Sequence, residues 1–403
     1  MNRGMSAADA AVLFDGARLT IARHLAGLRK SELAQVVGKS PSAVTGWEQG
    51  TKRPSGATVA ELALRLGVEP SFFTVSAETV AAPTSPPHFR SLRSTSQLAR
   101  DQALAYGQLS FDITAGLERH VEFPDVDLPV FPVDAEDLDG DGPEQAAQLV
   151  RESWGLGDGP VGHLLRLLEN HGILVVFSPP KGASVDAYSF DSDRRPIVVL
   201  NPLKQDYYRQ RFDLAHELGH LVMHADAEPG GRIVEEQAHR FASELLMPGE
   251  QLAPLLPRSM NAAAWAALAR LKEQWGVSMQ ALLFRARRLG VLGDVSYRNA
   301  MTTVSARGWR RSEPGQVKVL EQSSLLPRAV ELLTREGVDL AVLASECRAP
   351  VSLFQAVSSR VPLLEENAPV LDNRGGRTTT PAVVSLLPRL EANSQADSVG
   401  SAP

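Results

Sequence analysis

Apolar residues recur at helical spacing along most of this chain and gather into short unbroken runs in one region. From about residue 14 to 75 the pattern reads as five short helices. Ile21–Leu28 and Ser31–Val37 come first, the second stopped by Gly38. Ser40-Pro41-Ser42 restarts the chain as a cap with proline in the first turn, and the third helix, Ala43–Glu48, ends at Gly50. Ser55 caps the fourth, which ends near Gly67, and Ser71-Phe72-Phe73 closes the unit. Next come a Pro/Ser-rich break at Ala82–Pro87, a helical stretch from about Ser94 to His120, and a Pro- and Asp-rich connector, Phe123–Gly142. Together they make 76–142 a linker that contains a helix.

A second unit, 143–290, opens with helices at Glu144–Trp154 and Gly162–His171. Three runs then read as strands: Ile173–Phe177, Ser184–Phe190 and Pro196–Leu200. Helices follow at about Asp206–His224, Val234–Leu246, Ala262–Trp275 and Ser278–Leu289. Residues 291–390 read as a helical extension and 391–403 as a disordered polar tail. The predicted fold class is mainly α with a small β-sheet (α+β).

The helix Asp206–His224 carries His216-Glu217-x-x-His220. At 3.6 residues per turn the two histidines lie one above the other, so both imidazoles can take one metal ion. Glu217 sits beside them, where a carboxylate can take a proton from water. Apolar residues surround this helix on nearly every side, so it reads as buried. Gly219 costs the helix about 1 kcal/mol against alanine and points to a close neighbour.

A catalytic zinc needs a third protein ligand and an open position. In Val234–Leu246 the buried face runs through Ala238, Phe241, Ala242, Leu245 and Leu246. Traced back, it reaches Glu235, while Glu236 falls with Arg240 and Ser243 on the polar side. An inward carboxylate is costly unless it is paired or bound to metal, so Glu235 is the expected third ligand. His239, one turn on, is a rival ligand or an outer partner. His224 reads as a cation at a helix end. Tyr188, Tyr207, Tyr208 and His224 are equal candidates for stabilising an oxyanion.

Composition narrows the setting. A chain of 403 residues implies two or three cores, and 43% hydrophobic with 22% charged residues is ordinary for a soluble protein. The single cysteine, Cys347, excludes a disulfide framework and a cysteine-rich zinc site, and fits a reducing compartment. No secretory pattern opens the chain and no apolar run approaches the ~20 residues of a membrane span, so a cytoplasmic protein without membrane contact is expected. The net charge of −6 argues against general coating of nucleic acid. Between Asp15 and Glu69, however, eight Lys/Arg face five Asp/Glu, a local surplus of three positive charges.

Two segments carry family resemblances. Arg211-Phe-x-Leu-Ala-His-Glu-Leu-Gly-His-Leu-x-x-His224 resembles the signature of the ImmA/IrrE metallopeptidases. Glu235-x-x-Ala238-x-x-Phe241-Ala242-x-x-Leu245-Leu246-Met247-Pro248 is similar to their second motif, with His239 where asparagine is usual. The resemblance implies a zincin-like domain in which His216, His220 and Glu235 hold Zn2+ and Glu217 activates water.

The stretch Leu28-Arg-Lys-Ser-Glu-Leu-Ala34 through Gly50 to Ser55 resembles the Cro/C1-type (XRE) helix-turn-helix, with Arg29-Lys30 where Thr-Gln is usual. Ala34, Val37, Val44 and Trp47 would pack its two helices, leaving Ser40, Ser42, Thr45 and Gln49 outward for groove and phosphate contacts. Lys30, Lys39, Lys52 and Arg53 are the expected phosphate contacts.

The combined expectation is a DNA-binding regulator with a zinc endopeptidase domain. Resemblance implies an operator in double-stranded DNA and a protein substrate that is a helix-turn-helix repressor or antitoxin, and leaves room for a homodimer. The alternative is a non-proteolytic regulator whose metal domain is a sensor or dimerisation module. Basic-aromatic segments at Phe89–Arg93 and Gly308–Gly315 read as solvated surface.

Overall fold

The structure, a computed structural model, describes residues 5–74, 88–89, 96–178, 187–192, 194–225, 227–228, 230–315, 318–362 and 384–385. The expected break at Ala82–Pro87 and the tail 391–403 lie outside the described residues. The chain is mainly helical with a small mixed sheet.

The N-terminal unit holds α1 (Ala7–Val12), α2 (Gly16–Leu25), α3 (Lys30–Val36), α4 (Pro41–Glu48) and α5 (Gly56–Leu66), closed by a 3-10 turn at Pro70–Phe73. Side chains of Ser6, Asp15, Ser40 and Ser55 accept amide protons at the helix starts, as short polar caps do. Leu19, Leu33, Val44, Trp47 and Leu62 fill the core. Gly16 has no room for a Cβ, which would run into the carbonyls of Trp47 and Glu48. Helix α1 precedes the expected start at residue 14; six residues rich in alanine offer no apolar stripe to read.

Helix α6 (Gln97–Glu118) crosses the middle of the molecule, and from Ala103 to Leu117 nearly all its residues are buried. It packs on α2, on the sheet and on the C-terminal helices. Gly107 lets it lie directly on Phe190. Arg18 of α2 pairs with Asp112 of α6 and also donates to the Phe72 carbonyl at 3.0 Å.

The sheet comprises β1 (His88–Phe89), β3 (Leu174–Phe177), β4 (Ala187–Phe190) and β5 (Ile197–Leu200), in the order β1-β4-β5-β3. A separate parallel pair joins β2 (Val121–Glu122) to β6 (Val384–Ser385). Strands β3 and β5 run parallel, while β4 is antiparallel to β5 and to β1. Successive side chains point to opposite faces, and here both faces are covered. Leu174, Val176, Tyr188, Phe190, Ile197 and Val199 join the core that reaches through α6 to the N-terminal unit. Val175, Phe177, Ala187, Val198 and Leu200 join the second core.

That second core is closed by α7 (Gly142–Ser153), α8 (Leu164–Asn170), α9 (Tyr207–Met223), α10 (Arg232–Leu246), α11 (Gly249–Leu252), α12 (Ala262–Trp275), α13 (Met279–Arg288) and α14 (Asp294–Ala306). Then α15 (Leu325–Arg335), α16 (Leu340–Glu346) and α17 (Val351–Val357) return to α6. The buried Glu169 carboxylate on α8 accepts the amides of Ser324 at 2.9 Å and Leu325 at 3.1 Å, a negative charge at the positive start of α15. Among the described residues no single helix is long and apolar enough to cross a membrane.

Candidate metal centre

Helix α9 starts at Asp206, whose carboxylate accepts the Arg209 amide at 2.7 Å. Four residues apart on its buried face, His216 and His220 bring their Nε2 atoms to 3.2 Å. Helix α10 crosses α9 at Gly219, where a Cβ would come within 2.9 Å of the Phe241 ring. The close crossing places Glu235 over both imidazoles, its Oε2 3.4 Å from His216 Nε2 and its Oε1 3.6 Å from His220 Nε2. Two ligands held 2.0–2.1 Å from a tetrahedral zinc stand about 3.3–3.4 Å apart. The two imidazole nitrogens stand at about that spacing, and the two oxygens of the Glu235 carboxylate each approach one of them to nearly the same distance. Glu236 points elsewhere and pairs with Arg288 at 3.1 Å.

Hydrogen bonding behind His220 fixes which of its nitrogens carries the proton. Gln237 Nε2 donates to the carbonyls of Asp134 at 2.8 Å and Asp137 at 2.7 Å, so its Oε1 must be the acceptor facing His224 Nε2, 2.8 Å away. Burial holds His224 neutral, pulling its pKa down to about 4 against the opposing effect of the Gln237 hydrogen bond. With its proton on Nε2, neutral His224 accepts at Nδ1, so His220 Nδ1 donates across the 3.0 Å between them. That leaves a lone pair on His220 Nε2, aimed at His216 and Glu235. A set of lone pairs and a carboxylate converging in this way suits a divalent cation, and the residues present fit zinc.

His224 thus differs from its reading as a helix-end cation. It does stand at the C-cap of α9, but it is 1% exposed and serves as a neutral relay. The connector 123–142 supplies the end of that relay and ties down α9 through Phe131 N to Val222 O at 2.9 Å. Replacing Gln237 by leucine removes the acceptor that sets the chain of tautomers. Zinc affinity should fall about 10- to 100-fold, as measured by competition with a chelating dye.

Glu217, fully buried next to His216 on α9, is met by Ser189 from β4, whose hydroxyl donates to Oε2 at 2.7 Å. Sequence reasoning missed Ser189 and Gln237. The available signal for Ser189 was a single serine among the larger and apolar residues of its strand. His239 donates from Nδ1 to the Glu235 carbonyl at 2.8 Å and sets its ring 4.6 Å from that of His216. Of the four oxyanion candidates, Tyr188 bonds to the Ala103 carbonyl on the far face of the sheet, and His224 lies behind His220. Tyr208 alone of the four lines the cleft beside His239.

In the N-terminal unit, Lys39, Ser40, Ser42, Gln49, Lys52 and Arg53 are exposed, while Lys30 and Thr45 are half-buried. Several also serve the fold. Ser40 caps α4, Thr45 donates to the Pro41 carbonyl at 3.0 Å, Lys30 pairs with Glu48 at 3.1 Å, and Arg53 donates to the Val12 carbonyl at 2.7 Å.

Residues 168–287 match the family model of the IrrE N-terminal-like domain, and residues 20–73 match that of a helix-turn-helix. The chain carries an IrrE-like domain behind a helix-turn-helix. No curated protein matches the chain. The IrrE-like match runs from α8 to α13 and contains both helices of the metal group; it stops short of Glu321, whose carboxylate pairs with Arg211 inside that domain.

Proposed function

We propose that this chain is a DNA-binding regulator whose IrrE-like domain is a zinc-dependent endopeptidase, with His216, His220 and Glu235 as ligands and Glu217 as the base. The observation that carries the reading is the convergence of His216, His220 and Glu235, with approaches of 3.2–3.6 Å between them, beside the buried Glu217. When bound, zinc supplies a Lewis acid that polarises the scissile carbonyl and lowers the pKa of water toward ~7. Glu217 takes the proton of the attacking water and returns it to the leaving amine as the C–N bond breaks. Ser189 orients that carboxylate through its 2.7 Å hydrogen bond. The outward residues of α3 and α4, with Lys39, Lys52 and Arg53, meet an operator in double-stranded DNA.

The expected substrate is a helix-turn-helix repressor or antitoxin. Co-expression with helix-turn-helix proteins encoded nearby should yield discrete fragments, and Glu235→Ala should lose both the fragments and the bound zinc. Unchanged zinc in Glu235→Ala would refute the ligand set. Operator binding with no cleavage of any partner would leave a regulator whose metal domain is a sensor or dimerisation module.

A further inference from the structure

A cleft of about 670 Å³ opens one imidazole away from the metal group, within the ~300–1,000 Å³ range of pockets that enclose a small ligand. Phe212, one turn before His216, and His239 form its inner end. Phe284 of α13 and Trp309, in the turn after α14, form apolar walls. Trp309 is braced by the Trp265 ring at 5.3 Å and by the Arg307 guanidinium at 4.8 Å. This wall contains the basic-aromatic segment whose sequence suggested mere surface.

Charge in the cleft is unbalanced, with five cations against three carboxylates. Lys272 and Glu313 pair at 3.1 Å, and Arg209 and Asp213 at 3.6 Å. Asp206 is committed to capping α9. The surplus sits largely on the outer wall, where Arg310 and Arg311 are exposed and Arg310 is steadied by Ser305 at 2.6 Å. An apolar floor with a positive rim, opening beside a hydrolytic centre, selects among peptides by side chain and charge.

We propose that this cleft is a substrate subsite and takes a peptide segment bearing a large apolar side chain next to an acidic one, with Arg310 and Arg311 reading the acid. The inference rests on the peptidase reading for its purpose but on the cleft alone for its chemistry. Because both arginines are exposed on a turn, reversing them leaves the fold intact, which an unchanged melting curve would verify.

The test uses the full chain with Glu217→Gln, so that peptides are bound without being cut. Fluorescence anisotropy compares an aromatic peptide flanked by glutamates with the same peptide carrying glutamines or lysines. The acidic peptide should bind at least about tenfold more tightly than the basic one, the difference shrinking with salt. Arg310→Glu combined with Arg311→Glu should invert that order. Equal binding of all three peptides, or an order unchanged in the double variant, would overturn the inference. Charge-ordered binding by the Glu217→Gln chain, with none of these peptides cut by the wild-type chain, would keep the subsite and remove the peptidase. Cleavage without any charge preference would do the opposite.

Discussion

Glu217→Gln should lower cleavage about 10²- to 10⁴-fold while leaving zinc content at the wild-type level. The two halves of that result come from different parts of the geometry. Glutamine keeps the shape of the side chain and an oxygen for the Ser189 hydroxyl, now 2.7 Å from Oε2, so the packing between α9 and β4 persists. Glutamine has no basicity, so the proton of the attacking water has nowhere to go. The proposed ligands are His216, His220 and Glu235 and do not include this carboxylate. Fragment yield against time, with metal analysis on the same sample, checks both. Cleavage at the wild-type rate would remove Glu217 from the mechanism, and loss of zinc would place it among the ligands.

Arg211→Met should cost about 3–5 kcal/mol of stability, the range for breaking a buried ion pair from one side. The Arg211 side chain is 1% exposed. Its guanidinium donates to the carbonyls of Gly162, Val161 and Gly276 and pairs with Glu321, joining the approach to α8, the end of α12 and the segment before α15. Methionine fills similar space but leaves those carbonyls without a donor and the Glu321 carboxylate buried. Because native domains are stable by only ~5–15 kcal/mol, the change should lower the denaturation midpoint clearly, read by tryptophan fluorescence with Trp275 close by. Arg211→Lys should recover part of the loss, keeping the charge without the planar fork. A midpoint equal to wild type for Arg211→Met would mean that these contacts carry no net stability.

What the sequence displays is what lies close together along it. The histidine pair, the inward face of α10 and the three strand runs are all local patterns, readable from a few turns or a few alternations. Periodicity alone distinguishes Glu235 from Glu236, and in the structure the first faces His216 while the second pairs with Arg288. Contacts that join distant segments leave no such trace. Ser189 meets Glu217 from 28 residues away, and Gln237 reaches the Asp134 carbonyl from 103. The cleft wall at Trp309 is equally remote from α9 in the chain. Helix α6 is legible as the helical stretch from about Ser94 to His120, but its central place is not: covered on every side, it has small and neutral residues such as Ala103, Gly107, Ser110 and Thr114 where an amphipathic stripe would otherwise show which face is buried.

The sheet with two covered faces bears on how this chain may be divided. The family match at 168–287 owns only one of the two layers that keep the sheet dry. Its other layer is α6 with the helices behind it, against which Leu174, Val176, Tyr188, Phe190, Ile197 and Val199 are all 2% exposed or less. Cut out along the family boundary, the peptidase-like piece would present that greasy face to water and aggregate through it. The unit of recognition and the unit of folding therefore differ here: the helix-turn-helix end and the IrrE-like end are welded through a shared interior, and neither can be lifted off the other without exposing it.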